Sequence, residues 1–152
     1  MDSKPIPNVK PWSTSQGPIP ASVHDLRKAA AINELLTEPA PVLPVKDTDP
    51  VLPFEIGLFA SFSARLEPGI AKIRLRRAIS AYASTKSYLL ALAQPDAMRH
   101  DIEGHRVNQV SPEDKMAAQI RVAEIRLQRK SQNASAGGPG GEQSESRSGE
   151  NN

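Results

Sequence analysis

Apolar residues recur at helical spacing through most of the middle of the chain and alternate with polar ones in a single short stretch near residue 100. The first helical signal is SVHDLRKAAAINELLTE, where Ser22 can cap the opening amides and Leu26, Ala29, Ala30, Asn33 and Leu36 largely keep helical spacing. It ends before Pro39, because a residue preceding proline is pushed out of the helical region. Residues 39–53 then hold five prolines among Val42, Leu43, Val45, Val51 and Leu52. A flexible linker has no need of those apolar side chains, so an irregular segment packed on the domain is expected. PFEIGLFASFSARL reads as a short helix with Ile56, Phe59, Phe62 and Leu66 on its inner side, and Glu67-Pro68-Gly69 breaks it.

The longer helix IAKIRLRRAISAYAS follows, with Leu75, Ala78, Ile79 and Tyr82 facing inward and Lys72, Arg76 and Ser80 in a separate polar row. Ser84 or Thr85 interrupts it and can cap a further short helix, KSYLLALA. MRHDIEGHRVNQV has alternating elements around Glu103-Gly104, a pair suited to a turn that needs positive φ, and is predicted to be a small hairpin. Ser111-Pro112-Glu113-Asp114 is a strong helix start, with a capping serine, proline at the first position and acids at the positive end of the dipole. That last helix would turn Met116, Ile120, Ala123 and Leu127 inward and end in the basic run from Arg126 to Lys130.

Composition trims this picture at both ends. Residues 1–21 carry Pro5, Pro7, Pro11, Pro18 and Pro20 among polar residues and read as a disordered Pro-rich arm that includes the lone Trp12. Residues 131–152 are rich in Gly, Ser and Glu and read as a disordered tail. The folding domain is therefore placed at 22–130. Charge is uneven in the same way: residues 51–130 hold thirteen Lys/Arg against eight Asp/Glu, a net +5, whereas residues 1–50 come to −1 and residues 131–152 to −2. Positive charge in the folded part favours a structured face for a polyanion over a basic tether.

The basic cluster Lys72, Arg74, Arg76, Arg77 has two readings, a solvated helix face or a phosphate-binding one, and only Lys72 and Arg76 share a row. Its neighbourhood favours the second. Thr85, Lys86, Ser87 and Tyr88 open a helix, where unpaired amides and hydroxyls can hold a phosphate or a terminal ribose, and Tyr88 offers a ring and a hydroxyl unless it is a core tyrosine. Arg99 stands just beyond that helix and could reach back to the same amides. His100, Asp101 and His105 match no usual metal-ligand spacing and read as exposed hairpin residues. The chain has no cysteine, which excludes disulfides, thiolate catalysis and cysteine-based zinc sites. Phosphate loop, dinucleotide glycine pattern, nucleophile elbow and HExxH are absent too, so neither an enzyme nor a cofactor or small-molecule substrate is expected. With no apolar leader and no stretch of membrane-spanning length, the expected place is the cytoplasm.

The stretch LRRAISAYASTKSYLLALAQPDAMRHDIEGHRVNQVSPED resembles the FinO/ProQ family of bacterial RNA chaperones, in which an LR-x-A helix is followed by a YL-containing helix, an R-x-D strand with a D/E-G turn and an acid-capped helix. PFEIGLF is similar to that family's P-L-x-x-G-I segment, and the resemblance runs from Ala30 to Lys130 with one inserted residue between Tyr88 and Arg99. It implies a mostly α domain with a small β-hairpin (α+β) that binds structured RNA on a concave basic face, at the base of a hairpin and its single-stranded 3′ tail. Lys72, Arg76, Tyr88 and Arg99 match family positions that contact RNA; Arg77, Thr85, Lys86 and Ser87 join them as candidates from the chemistry above. Glu55, Ser80 and Ser87 depart from positions that are often basic in the family. The chain is read as a single FinO-type domain without the C-terminal ProQ domain, a monomer that stabilises terminator-like hairpins and assists RNA pairing. LRRA, SYL and EG look closer to plasmid-type FinO proteins, which extends the expectation to fertility inhibition. The rival is a DNA-binding transcriptional regulator using the basic helix 70–83 in a major groove. A structural adaptor working through Pro-rich arms is third.

Overall fold

The computed structural model describes residues 10–136, which form two compact units parted between Ile120 and Arg121. Within the first, the central element is α3 (Lys72–Ala83), where Leu75 and Tyr82 are buried and Ala78 and Ile79 half-buried, on the inward face that the spacing predicts. It packs against α1 (Val23–Asn33) and α2 (Phe59–Ala64) and passes through Ser84 and Thr85 into α4 (Lys86–Ala93). β1 (Met98–His100) and β2 (Arg106–Gln109) form an antiparallel hairpin, and α5 (Pro112–Ala136) follows. The domain is thus mostly helical with one two-stranded hairpin. Among the described residues no helix is long and apolar enough to cross a membrane.

Local chemistry sets most boundaries where the sequence puts them. Ser22 and Asp25 form a reciprocal capping box on α1. Thr85, not Ser84, caps α4: its Oγ1 accepts from the Tyr88 amide at 3.2 Å and donates to the Tyr82 carbonyl at 2.9 Å, coupling the end of α3 to the start of α4. Ser111 Oγ accepts from the Asp114 amide at 3.1 Å and caps α5. The hairpin turn takes Gly104 to φ +88°, a conformation that side chains with a Cβ rarely adopt. Asp101 Oδ1 accepts from the amides of His105 and Glu103, both at 3.0 Å, and these bonds hold its carboxyl below the ordinary carboxylate range.

Several expectations fail, the first because a distant partner outweighs local periodicity. Residues 54–58 are not helical. Phe54 is paired instead with His100, through bonds from the Glu55 amide to the His100 carbonyl and from the His100 amide to the Pro53 carbonyl, both 2.8 Å, and Ile56 is left 77% exposed. On α1 the buried positions are Asp25, Ala29 and Ile32 rather than the row through Leu26 and Ala30. In α5 up to Ile120 they are Ala118 and Gln119, with Met116 and Ile120 half-buried.

Residues 10–21 also differ from the disordered arm expected of them. The backbone of Gln16 donates to Gln94 Oε1 at 2.7 Å, that of Trp12 to Gln119 Oε1 at 3.2 Å, and Ser15 Oγ donates to Asp96 at 2.7 Å. Ile19 and Ala21 are buried, and their backbones bond to Val51 and Asp49. The expected tail lies outside the described residues from 137 onward, while 131–136 continue α5. Of the packed segment 39–53, Val42, Leu43 and Val51 enter the core as expected and Val45 is exposed.

In the second unit α5 continues as a largely exposed helix, on which Arg121 and Glu124 pair at 3.3 Å and Leu127 is solvent-facing.

His100, expected as an exposed hairpin residue, is instead buried because it links the 53–55 segment to β1, its Nδ1 lying 3.2 Å from the Pro53 carbonyl. Burial holds its imidazole below the ordinary 6.5. The unfolded chain therefore takes up the proton first, so the stability tied to neutral His100 is complete above pH 6.5 and is lost as pH falls below it. We expect the thermal midpoint to drop between about pH 7.5 and 5, and His100→Gln to flatten that slope. An unchanged slope in the variant would remove His100 as the cause.

Candidate nucleic-acid interface

Tyr88 and Arg99, eleven residues apart in sequence, converge on the two backbone peptides that flank one α-carbon. The Phe54 amide donates to Tyr88 Oη at 2.8 Å, and the Phe54 carbonyl accepts from Arg99 Nη1 at 2.8 Å. Around that α-carbon the Phe54 ring contacts Tyr88 edge-on at 5.3 Å, Phe62 edge-on at 5.4 Å and stacks on Tyr82 at 5.6 Å. Tyr88 is 6% exposed, so its ring is core and offers no stacking face. Burial pushes the phenol up, against the opposing pull of the Phe54 amide and Arg99, so it stays protonated at neutral pH. Having accepted from Phe54, Oη still has a proton to donate.

Arg99 is likewise drawn inward, 9% exposed, and its Nη2 donates to Asp114 Oδ2 at 2.7 Å in the first turn of α5. Its guanidinium fork thus ties the 54 segment, β1 and α5 together. Nothing in the local sequence signals this role, since both partners are remote along the chain. Thr85 is buried as the α4 cap, and Lys86 and Ser87 are half-buried in the first turn, whose amides have no carbonyl within the helix to bond. Thr85 takes only the Tyr88 amide of that turn.

Lys72 and Arg76 are exposed on the flank of α3 that faces α2, where the Arg76 guanidinium lies 4.1 Å over the Phe59 ring. That seat orients the cation without neutralising it, and sequence reasoning missed Phe59 in this part. Arg77 is exposed but turns away from the row, because successive helical residues rotate by about 100°. The structure therefore brings Thr85, Tyr88 and Arg99 together around Phe54, sets Lys72 and Arg76 as a second group, and leaves Arg77 apart. Ser80 adds no charge, and its carbonyl accepts from Ser84 Oγ at 2.8 Å. α3 starts with Lys72 and Arg74, with no acid in its first turn and no capping side chain. Cations at the positive end of a helix dipole oppose folding by a few tenths of a kcal/mol to about 1 kcal/mol each, a cost that an anionic ligand offsets. Among the described residues no cluster of three or more His, Asp or Glu is placed to hold a metal ion.

A small, mostly helical domain with a hairpin docked through a buried arginine, carrying cations on the exposed flank of its central helix, is the class of protein this geometry defines. Residues 29–135 match the ProQ/FINO family, and the chain belongs to it. Among solved structures it is similar to NMB1681 from Neisseria meningitidis MC58, a FinO-like RNA chaperone, at 26% identity over 55% of this chain and 67% of that one, with a TM-score of 0.44. A ProQ homolog from Legionella pneumophila is similar at 25% identity over 75% of this chain and 93% of that one, with a TM-score of 0.48. No curated protein matches the chain.

The buried fork of Arg99 makes a prediction of its own. Arg99→Ala leaves the Phe54 carbonyl unpaired and strands Asp114, and is expected to destabilise by about 2–4 kcal/mol in chemical denaturation, less than a fully buried pair because Asp114 is half exposed. Arg99→Lys can satisfy only one of the two partners and should recover part of that loss. A change below about 0.5 kcal/mol for Arg99→Ala would show the fork to be incidental.

Proposed function

We propose that the protein is an RNA chaperone that grips the stem of a structured RNA through Lys72 and Arg76 and receives its single-stranded 3′ end at the first turn of α4. Membership of the ProQ/FINO family supports an RNA ligand. The observation that carries the finer reading is the convergence of Tyr88 and Arg99 on the Phe54 backbone beside that first turn. A terminal ribose presents two hydroxyls and a phosphate. The Tyr88 hydroxyl can donate to one ribose oxygen, and the first-turn amides of α4 suit the phosphate. Arg99 acts as a positioning residue, holding the backbone against which Tyr88 is set.

An A-form stem offers shape and phosphates but little readable sequence, so selectivity comes from stem and tail together. Lys72 and Arg76 fit the stem's phosphates, and the cation over Phe59 is held outward at small entropic cost. Glu55 stands next to the clamped backbone, a carboxylate where an anionic ligand would pass. Binding is by a monomer, and terminator-like hairpins with U-rich tails are the fitting targets, with protection of the 3′ end and assisted pairing as the outcome. α3 is flanked by α1 and α2, which argues against its entering a DNA major groove.

A titration of labelled RNA tests this. A hairpin with a single-stranded 3′ tail should bind at least about tenfold tighter than the same stem with a blunt end, a difference of about 1.4 kcal/mol. Lys72→Ala and Arg76→Ala should each weaken binding and lower the slope of log affinity against log salt by about one. Glu55→Lys should tighten it. Equal binding of tailed and blunt hairpins would end the 3′-end reading, and tighter binding of duplex DNA would end the RNA reading.

A further inference from the structure

The buried face of α3 divides its exposed surface in two. Lys72 and Arg76 lie on one side of Leu75 and Tyr82; Arg74, Ala78 and Ala81, spaced four and three apart, lie on the other, where α1 packs. A cleft of about 360 Å³ runs between the two helices on that side, lined by His24, Arg27, Lys28 and Ala31 from α1 and by Ala78 and Ala81 from α3. Three alanines and the α1 side chains His24, Arg27 and Lys28 line it, and Arg74 lies one helical turn from Ala78 outside the lining.

Three features set this cleft apart from an ordinary solvated surface. α3 contains no acidic residue, and the one acid of α1, Asp25, is buried and committed to the Ser22 cap, so no carboxylate of either helix faces the cleft. Among the described residues Arg27, Lys28 and Arg74 form no ion pair. None of the three complements a helix dipole: Arg27 and Lys28 sit mid-helix, and Arg74 lies in the first turn of α3, where a cation is unfavourable. The cluster therefore gathers positive charge that no carboxylate of either helix offsets, and a polyanion would offset it.

We propose that the α1–α3 cleft is a second RNA site that takes the sugar-phosphate backbone of a single strand, on the opposite flank of α3 from Lys72 and Arg76. The cleft is at the small end of ligand-sized cavities, about 300 Å³ upward, which suits one strand and not a duplex. The alanines let the backbone approach closely, while Arg27 and Lys28 meet its phosphates from the α1 side and Arg74, one turn along α3 from the lining, extends the positive charge on the other. Apart from the His24 imidazole no aromatic ring lines the cleft, and no side-chain amide does, so it reads phosphate more than base. Two sites on opposite flanks of one helix let a single domain hold a structured RNA and a second strand at once, which is the arrangement that assisted pairing needs. The cleft's own residues stand apart from the hairpin site, though this use of it rests on the RNA-chaperone reading.

The test uses the full chain and two non-complementary RNAs, a tailed hairpin and a labelled single strand of about a dozen nucleotides, within the usual range of single-strand site sizes. With the hairpin saturating, the strand is expected to bind in a 1:1:1 complex. Arg27→Ala/Lys28→Ala/Arg74→Ala, changes to the best helix former at two exposed positions and the half-buried Lys28, should weaken the strand at least tenfold and the hairpin less than twofold. Lys72→Ala/Arg76→Ala should do the reverse, and titrating the strand onto this variant alone tests the cleft even if no hairpin binds the wild type. The proposal is overturned if hairpin and strand compete for one site, if the triple variant holds the strand unchanged, or if an acidic peptide of equal charge displaces the strand completely.

Discussion

The backbone of a single residue, Phe54, organises this domain. Its amide is fixed by a tyrosine hydroxyl from α4 and its carbonyl by an arginine from β1, while its ring closes the aromatic group of Phe62, Tyr82 and Tyr88. The flanking residues bond to His100 on the same strand. Each of these bonds is buried, where an unmade partner costs about 1–3 kcal/mol, so the elements that supply them are locked in one arrangement. α2, α4, the hairpin and the start of α5 are thereby fixed relative to one point, and that point lies beside the first turn of α4.

This constraint explains why the candidate site divides into buried and exposed parts. Tyr88 and Arg99 are buried and shape it from within; Lys72 and Arg76 are exposed, where the proposed ligand would meet them. A site for a 3′ end has to discriminate an end from the middle of a strand, which is a matter of fixed geometry and favours residues held as firmly as these. A stem presents repeating phosphates, and mobile surface cations suffice for that. The Phe59 ring beneath Arg76 gives an intermediate case, an exposed cation with a defined seat.

What could be read from the sequence was what short-range chemistry decides. The inner face of α3, the Thr85 and Ser111 caps and the positive-φ turn at Gly104 involve residues within a few positions of one another. Ile56 was misplaced because pairing of Phe54 with His100 removes its neighbours from the helix. Residues 10–21 looked like a free arm because their partners are the side chains of Gln94, Asp96 and Gln119, and a Pro-rich strand that borrows side-chain acceptors leaves no periodic trace. For the site, residue types were legible and their roles were not: Arg99 read as a hand for the ligand, and its fork grips the Phe54 carbonyl and Asp114. The cleft beside α1 was invisible for the same reason, since Arg27 and Lys28 become a cluster with Arg74 only after α1 packs on α3.

The central claim, that the clamped Phe54 backbone presents the first turn of α4 to an RNA 3′ end, is tested most directly by amide hydrogen exchange at Ser87, since the Tyr88 amide is already bonded to Thr85. A tailed hairpin should slow exchange at Ser87 markedly, whereas the same stem with a blunt end should leave that amide as it is in the free protein. Equal slowing by both RNAs, or protection confined to α1 and α3, would contradict it.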